Sequence, residues 1–144
     1  MAFAKVGIET FEKGNEGFLK LFTEIKIADL KKENQEHISA IEEQVNDKDV
    51  SDTTLKKNEA TSVKLIAMRD LYVKDEWHNP AELCEWLGFF EGAAVVHWTL
   101  VKGVAEGLGD KNLEELADRA IIFHEEILKT VSLCLYNIGK EKSL

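Results

Sequence analysis

From Asn79 to Leu108 the chain reads NPAELCEWLGFFEGAAVVHWTLVKGVAEGL, a helix-forming run that opens on the only proline of the molecule. Asn79 is a good N-cap, and Pro80 stands at the first helical position, where its missing N–H costs nothing. Glu82 and Glu85 put negative charge in the first turns, where the helix dipole favours it, and Gly107 and Gly109 supply the stop. Leu83, Leu87, Phe90, Ala94, Val101, Val104 and Leu108 recur at helical spacing. They predict a helix over 80–108 with one stripe on a core. His97 falls inside that stripe and Glu91 at its flank.

The back of this helix is unusual. Gly88, Gly92, Gly103 and Gly107 fall in one sector roughly opposite the core stripe, and Val95, Val96 and Thr99 share that side. Each internal glycine costs up to about 1 kcal/mol against alanine. Four on one side predict that another backbone comes close there. Between Trp86 and Val101 the only ionisable residues are Glu91 and His97, so the helix is expected to be buried on more than one side. The run is too interrupted for a bilayer span, which needs about 20 apolar residues. The expected cover is either residues 1–14 of the same chain or a second subunit, with a homodimer as the first expectation.

The other segments follow the same logic. Residues 1–14, with Phe3, Val6, Ile8 and Phe11, predict a short helical segment ending at Gly14-Asn15. A long helix is expected over about 16–45, with Leu19, Thr23, Ile27, Leu30, Asn34, Ile41 and Val45 as its stripe and His37 at the edge. Residues 46–53 are loop-like. A second long helix is expected over about 54–78, burying Leu55, Ser62, Ile66, Val73 and Trp77, with Glu59 near the middle of that side and Arg69 near its edge. The fourth long helix runs over about 111–138 on Leu113, Ala117, Ala120, His124, Ile127, Val131, Cys134 and Ile138, and Gly139 is expected to end it. Four long helices joined by short loops predict a single all-α domain, an antiparallel up-down-up-down four-helix bundle with a short N-terminal helical segment.

Composition excludes several functions. A net charge of −9, spread along all 144 residues, leaves no basic face for nucleic acid. Two cysteines, Cys84 and Cys134, are too few for a disulfide framework. They read as reduced, apolar fillers, near neighbours across the last two helices. The first residues lack the basic start and apolar run of a secretory signal, so a cytoplasmic location and no membrane are expected. There is no HExxH, no CxxC and no glycine-rich phosphate loop after a strand. Trp77, Trp86 and Trp98 read as core or interface aromatics.

One constellation can carry chemistry. His97 and His124 stand 12 and 15 residues from Gly109, at nearly equal heights on antiparallel helices, and both are expected on core stripes. His37 is expected near the same layer, opposite Ser62, with Glu33 one turn before it and Glu59 nearby. Imidazoles from three helices with a carboxylate suit zinc, iron or a similar divalent ion. The alternative is a set of core histidines bonded to each other or to Ser62, Glu59 or Asn34, which satisfies buried polar groups without an ion.

EGAAVVHWTLV, the turn AEGLGDKNLEELA and the closing FHEEIL, between Glu91 and Leu128, resemble the last helical hairpin of ferritin-like bundles. The resemblance implies a bundle fold. It does not extend to the family's Glu-x-x-His metal pairs, because Ala94 and Ile121 stand three residues before His97 and His124. No catalytic residue is assignable. Two functions remain: assembly or partner binding through Gly88, Gly92, Val96, Gly103 and Gly107, and ion handling or redox work at His97, His124, His37, Glu33 and Glu59.

Overall fold

The computed structural model describes residues 1–47 and 51–142. All regular structure among them is helical: α1 (Ala2–Lys13), α2 (Asn15–Phe18), α3 (Glu24–Asp47), α4 (Ser51–Val73), α5 (Pro80–Leu108) and α6 (Lys111–Lys142). Among these residues no helix is long and apolar enough to cross a membrane. The chain forms two compact units, Met1–Leu83 and Cys84–Leu144.

In the first unit α1 lies against α3 and α4. Glu12 approaches Lys31 (3.8 Å), and a Cβ placed on Gly7 would touch Asn34 Oδ1 at 3.4 Å, the register of two antiparallel helices. Phe3, Val6, Phe11 and Phe18 are buried with Ile27, Leu30, Leu65 and Val73. Each such side chain contributes about 1.5–3 kcal/mol relative to exposure. Thr10 Oγ1 donates to the Val6 carbonyl (2.6 Å), so its hydroxyl enters the core already paired. Gly17 is required at its position, because a Cβ there would collide with Leu83 and lie 2.7 Å from the Trp77 carbonyl oxygen.

Arg69 ties α4 to α1. It is 1% exposed, and its guanidinium donates to Glu9 Oε1 (2.9 Å), Asp70 Oδ1 (2.9 Å) and Thr10 Oγ1 (3.4 Å). Lys13 sits 4.2 Å from the Trp77 ring centroid and pairs with Asp70 at 3.3 Å. Two cations hold the Asp70 carboxyl below its ordinary range, against the opposing pull of desolvation.

Several sequence expectations change here. The helix expected over 16–45 is broken between Phe18 and Glu24. Thr23 Oγ1 accepts from the Lys26 N–H (3.1 Å), so Thr23 starts a new helix as a cap instead of lying in a stripe. Leu19 and Thr23 are consequently exposed, whereas His37 is fully buried instead of at an edge. The helix expected over 54–78 spans Ser51–Val73 and stops where Lys74 adopts φ 50°, which places Trp77 in the following turn. On α4 the buried side is Leu65, Arg69 and Val73, while Leu55 and Glu59 are exposed. The 46–53 loop shortens, since α3 runs to Asp47 and α4 starts at Ser51, and residues 48–50 lie outside the described set.

The second unit is a hairpin of α5 and α6, and its turn is two residues long. Gly109 has φ 67°, its N–H donates to the Glu106 carbonyl (3.1 Å), and the Asp110 N–H donates to the Ala105 carbonyl (2.9 Å). These two bonds form a Schellman end, which favours glycine at the left-handed position. Asp110 then caps α6, its carboxylate accepting from the Leu113 N–H (3.1 Å). At the other end of α5, Asn79 Oδ1 accepts from the Ala81 N–H (3.1 Å), as the sequence predicts. Gly139 does not end α6, which continues to Lys142 with Lys140 and Lys142 at its negative pole.

Candidate functional site

The buried side of α5 is Leu83, Cys84, Leu87, Phe90, Glu91, Ala94, Trp98 and Ala105. This stripe is rotated relative to the expected one. Val104 and Leu108 are exposed, and His97 is exposed with Nδ1 donating to the Ala93 carbonyl (2.8 Å). Glu91, Ala94, Trp98 and Ala105 share one side at helical spacing and are buried together, Glu91 and Ala105 each about two turns from Trp98.

Opposite this side, α6 buries Ala117, Ala120, His124, Ile127 and Val131 of its predicted stripe, together with Leu116, which the stripe did not include, while Leu113, Cys134 and Ile138 are half-buried. The two helices meet through polar side chains at two levels. Lys102 Nζ donates to Asp118 at 2.8 Å near the turn. Deeper, His124 Nδ1 and Glu91 Oε2 share a hydrogen bond of 2.5 Å, with the two side chains 1% and 2% exposed. Phe123 lies against the His124 ring at 5.1 Å between centroids. Phe90 and Trp86 are buried one position and about one turn from Glu91, ring centroids 5.8 Å apart.

Burial pushes the Glu91 carboxyl above its ordinary value of 4.5, and the His124 hydrogen bond and charge pull only partly the other way. A carboxyl in this position is expensive to ionise alone. With the imidazole it forms a short, directional pair that fixes the ring tautomer and sets the relative height of two helices. Glu91 is the residue that the sequence reading placed only at a flank. The signal for it was the spacing Leu87, Glu91, Ala94, Trp98 and Ala105, which competes with Leu87, Phe90, Ala94, Val101 and Val104 on the same helix.

The other expected metal ligands are distributed as follows. His37 is buried on α3, with Nε2 3.5 Å from Glu33 Oε1 one turn earlier. Glu59 is exposed on α4 and His97 on α5, so neither takes the inward position expected of it. Among the described residues no three His, Cys, Asp or Glu side chains are grouped closely enough to hold an ion. Cys84 and Cys134 are free thiols. Burial, then the neighbouring Cys134 and Glu85, pushes the Cys84 thiol up to about 12, so it stays protonated as an apolar filler.

The outer side of α5 is a second candidate site. Phe89 (63%), Val96 (67%) and Leu100 (67%) are exposed there, with Val104 and Leu108 beside them. Gly92, Ala93, Gly103 and Gly107 lie between them on the same side. A Cβ added to Gly88, Gly92, Gly103 or Gly107 would meet no atom within 4 Å.

Compared with known proteins, the chain matches no family model, no curated protein and no solved structure.

Proposed function

We propose that this protein is an assembly or partner-binding bundle that self-associates, as a homodimer, through the outer side of α5. The observation that carries the reading is the row Phe89, Val96 and Leu100, each about two-thirds exposed on a side of the helix that has no Asp, Glu, Lys or Arg between Phe89 and Val101 except inward Glu91. Contiguous apolar surface of this kind marks an interaction site. Four glycines cost up to about 1 kcal/mol each in helix propensity, no described atom lies within 4 Å of a Cβ built on them, and a closely approaching second helix would offset that cost.

The finer architecture belongs to the same proposal. An up-down-up-down bundle is supported by four helices of 23 to 32 residues joined by short connections, and the ferritin-like kinship by the α5–α6 hairpin with its tight turn. Two free thiols support a cytoplasmic location.

A second reading, a zinc or iron site for ion handling or redox work, is favoured by the Glu91–His124 pair, which supplies one carboxylate and one imidazole at 2.5 Å. It needs further ligands beyond these two. The assembly reading is preferred because its surface is complete as it stands.

Sedimentation equilibrium tests the choice. The parent chain is expected to be dimeric at micromolar concentration. Val96→Glu and Leu100→Glu are expected to weaken association at least tenfold, about 1.4 kcal/mol, with helicity unchanged. A parent chain that stays monomeric at high concentration ends the assembly reading. Elemental analysis of chelator-free protein showing one equivalent of transition metal, lost in His124→Ala, would move the assignment to the second.

A further inference from the structure

The outer side of α5 has an internal order that the presence of glycines alone does not convey. In sequence it reads Phe89, Gly92, Ala93, Val96, Leu100, Gly103, Val104, Gly107. Counted outward from Trp98, which lies on the buried side, large residues on one arm stand at the same distance as small residues on the other. Phe89 and Gly107 are each nine residues away, Gly92 and Val104 six, Ala93 and Gly103 five, and Val96 and Leu100 two. Positions on any helix stripe are symmetric in this way, but the sizes are not. Here each bulky side chain has a small counterpart, except at the centre, where two medium ones meet.

We propose that α5 pairs with α5 of a second copy in the antiparallel sense, about a two-fold axis level with Trp98, so that Phe89 of each copy seats over Gly107 of the other. This rests on self-association through α5 and specifies its geometry. A two-fold interface brings residue i onto j and j onto i, which this arrangement of sizes satisfies with one surface. Val104 then covers the second copy's Ala93, the backbones approach at Gly92 and Gly103, which share one side of the contact line, and Val96 packs near Leu100. Parallel pairing sets like on like: ring on ring at Phe89, and gaps at Gly92, Gly103 and Gly107. Gaps of that size forfeit the contacts that close packing supplies.

The area is sufficient for a second copy. Phe89, Val96, Leu100, Val104 and Leu108 are 49% to 73% exposed. Together they leave on the order of 500 Å² of apolar surface per chain and roughly 1,000 Å² for the pair, the threshold at which a contact between copies becomes a biological interface. The glycines add room, because no described atom lies within 4 Å of a Cβ built on Gly88, Gly92, Gly103 or Gly107.

Cysteine cross-linking separates the two senses. In a chain carrying Cys84→Ala and Cys134→Ala, one population receives Phe89→Cys and another Gly107→Cys. Antiparallel pairing predicts disulfide-linked heterodimers from the mixture and none from Phe89→Cys alone, whose two sulfurs would be about 27 Å apart along the axis. Self-cross-linking of Phe89→Cys in a dimeric protein overturns the antiparallel sense and leaves self-association standing. A monomeric parent overturns both. Should the cysteine-free background lose its fold, the native cysteines are kept and Phe89→Lys is mixed with Gly107→Glu. Each is expected to associate at least tenfold more weakly alone and to recover as a heterodimer, and failure to recover overturns the pairing.

Discussion

The inner side of α5 carries a carboxylate joined to an imidazole across the hairpin; its outer side carries glycines and exposed apolar residues. Both sides contain a cost. Inside, the cost is desolvation of Glu91 and His124, and a partner 2.5 Å away offsets part of it. Outside, it is the lost helix propensity of Gly88, Gly92, Gly103 and Gly107 together with Phe89, Val96 and Leu100 left in water. No described atom lies within 4 Å of a Cβ built on any of these glycines. A compensated cost points to structure, and an uncompensated one points to something the chain meets.

The strongest way to break this contrast is to truncate the inner pair. Glu91→Ala or His124→Ala leaves one buried polar group without its partner and is expected to cost about 3–5 kcal/mol, the range for breaking a buried ion pair. Urea unfolding followed by circular dichroism measures it. Replacing both residues by leucine is expected to recover most of the loss, since a well-packed apolar pair removes both desolvation penalties. If the single changes cost under about 1 kcal/mol, the pair is not what holds α5 and α6 in register.

A smaller effect should come from pH. The Glu91 carboxyl titrates above its ordinary value of 4.5 in the folded chain, so between 4.5 and the folded value the folded state holds a proton that the unfolded state has released. Stability from this group is therefore present at low pH and lost as pH rises through that window. Glu91→Gln removes the titration. The difference in unfolding free energy between Glu91→Gln and the parent should widen from pH 4.5 upward and then level off. A difference that stays constant with pH would mean that the carboxyl is not shifted.

The outer side is probed by the smallest change. Gly103→Ala adds a methyl group where nothing lies within 4 Å, so it should raise the stability of the isolated chain by about 0.5–1 kcal/mol through helix propensity. The same methyl group stands at the proposed close approach of two backbones and should weaken association. Opposite signs in one variant, thermal unfolding of dilute protein against sedimentation of concentrated protein, would sharpen the distinction between the two sides. Equal signs would remove it.

Much of this fold was legible beforehand because it depends on local chemistry. Asn79, Pro80, Gly109 and Asp110 are capping and turn residues, and α5 begins and ends where they place it. The inner stripe of α6 was legible for a related reason: Ala117, Ala120, His124, Ile127 and Val131 recur at helical spacing, and Asp118, Arg119, Glu125, Glu126 and Lys129 fall between them. On α5 nearly every position is apolar or small, and two phases compete. That is why His97 was expected inside and Glu91 at the flank, and why the structure reverses them. The break before Glu24 was missed because Thr23 has the same helical spacing as its neighbours, and its role as a cap depends on the backbone turning there.

Sequence alone therefore determined an all-helical chain, the ends of its central helix, and a side of that helix rich in glycine, because propensity, capping and spacing act within a few residues. Tertiary structure decided which side of α5 faces inward, burying Phe90, Glu91 and Trp98 and leaving His97 exposed, since two phases of the same apolar helix satisfy local rules equally. It also decided that His124 has Glu91 and not His97 as its partner, because a hydrogen bond between helices is set by a few ångströms of register that no local rule contains.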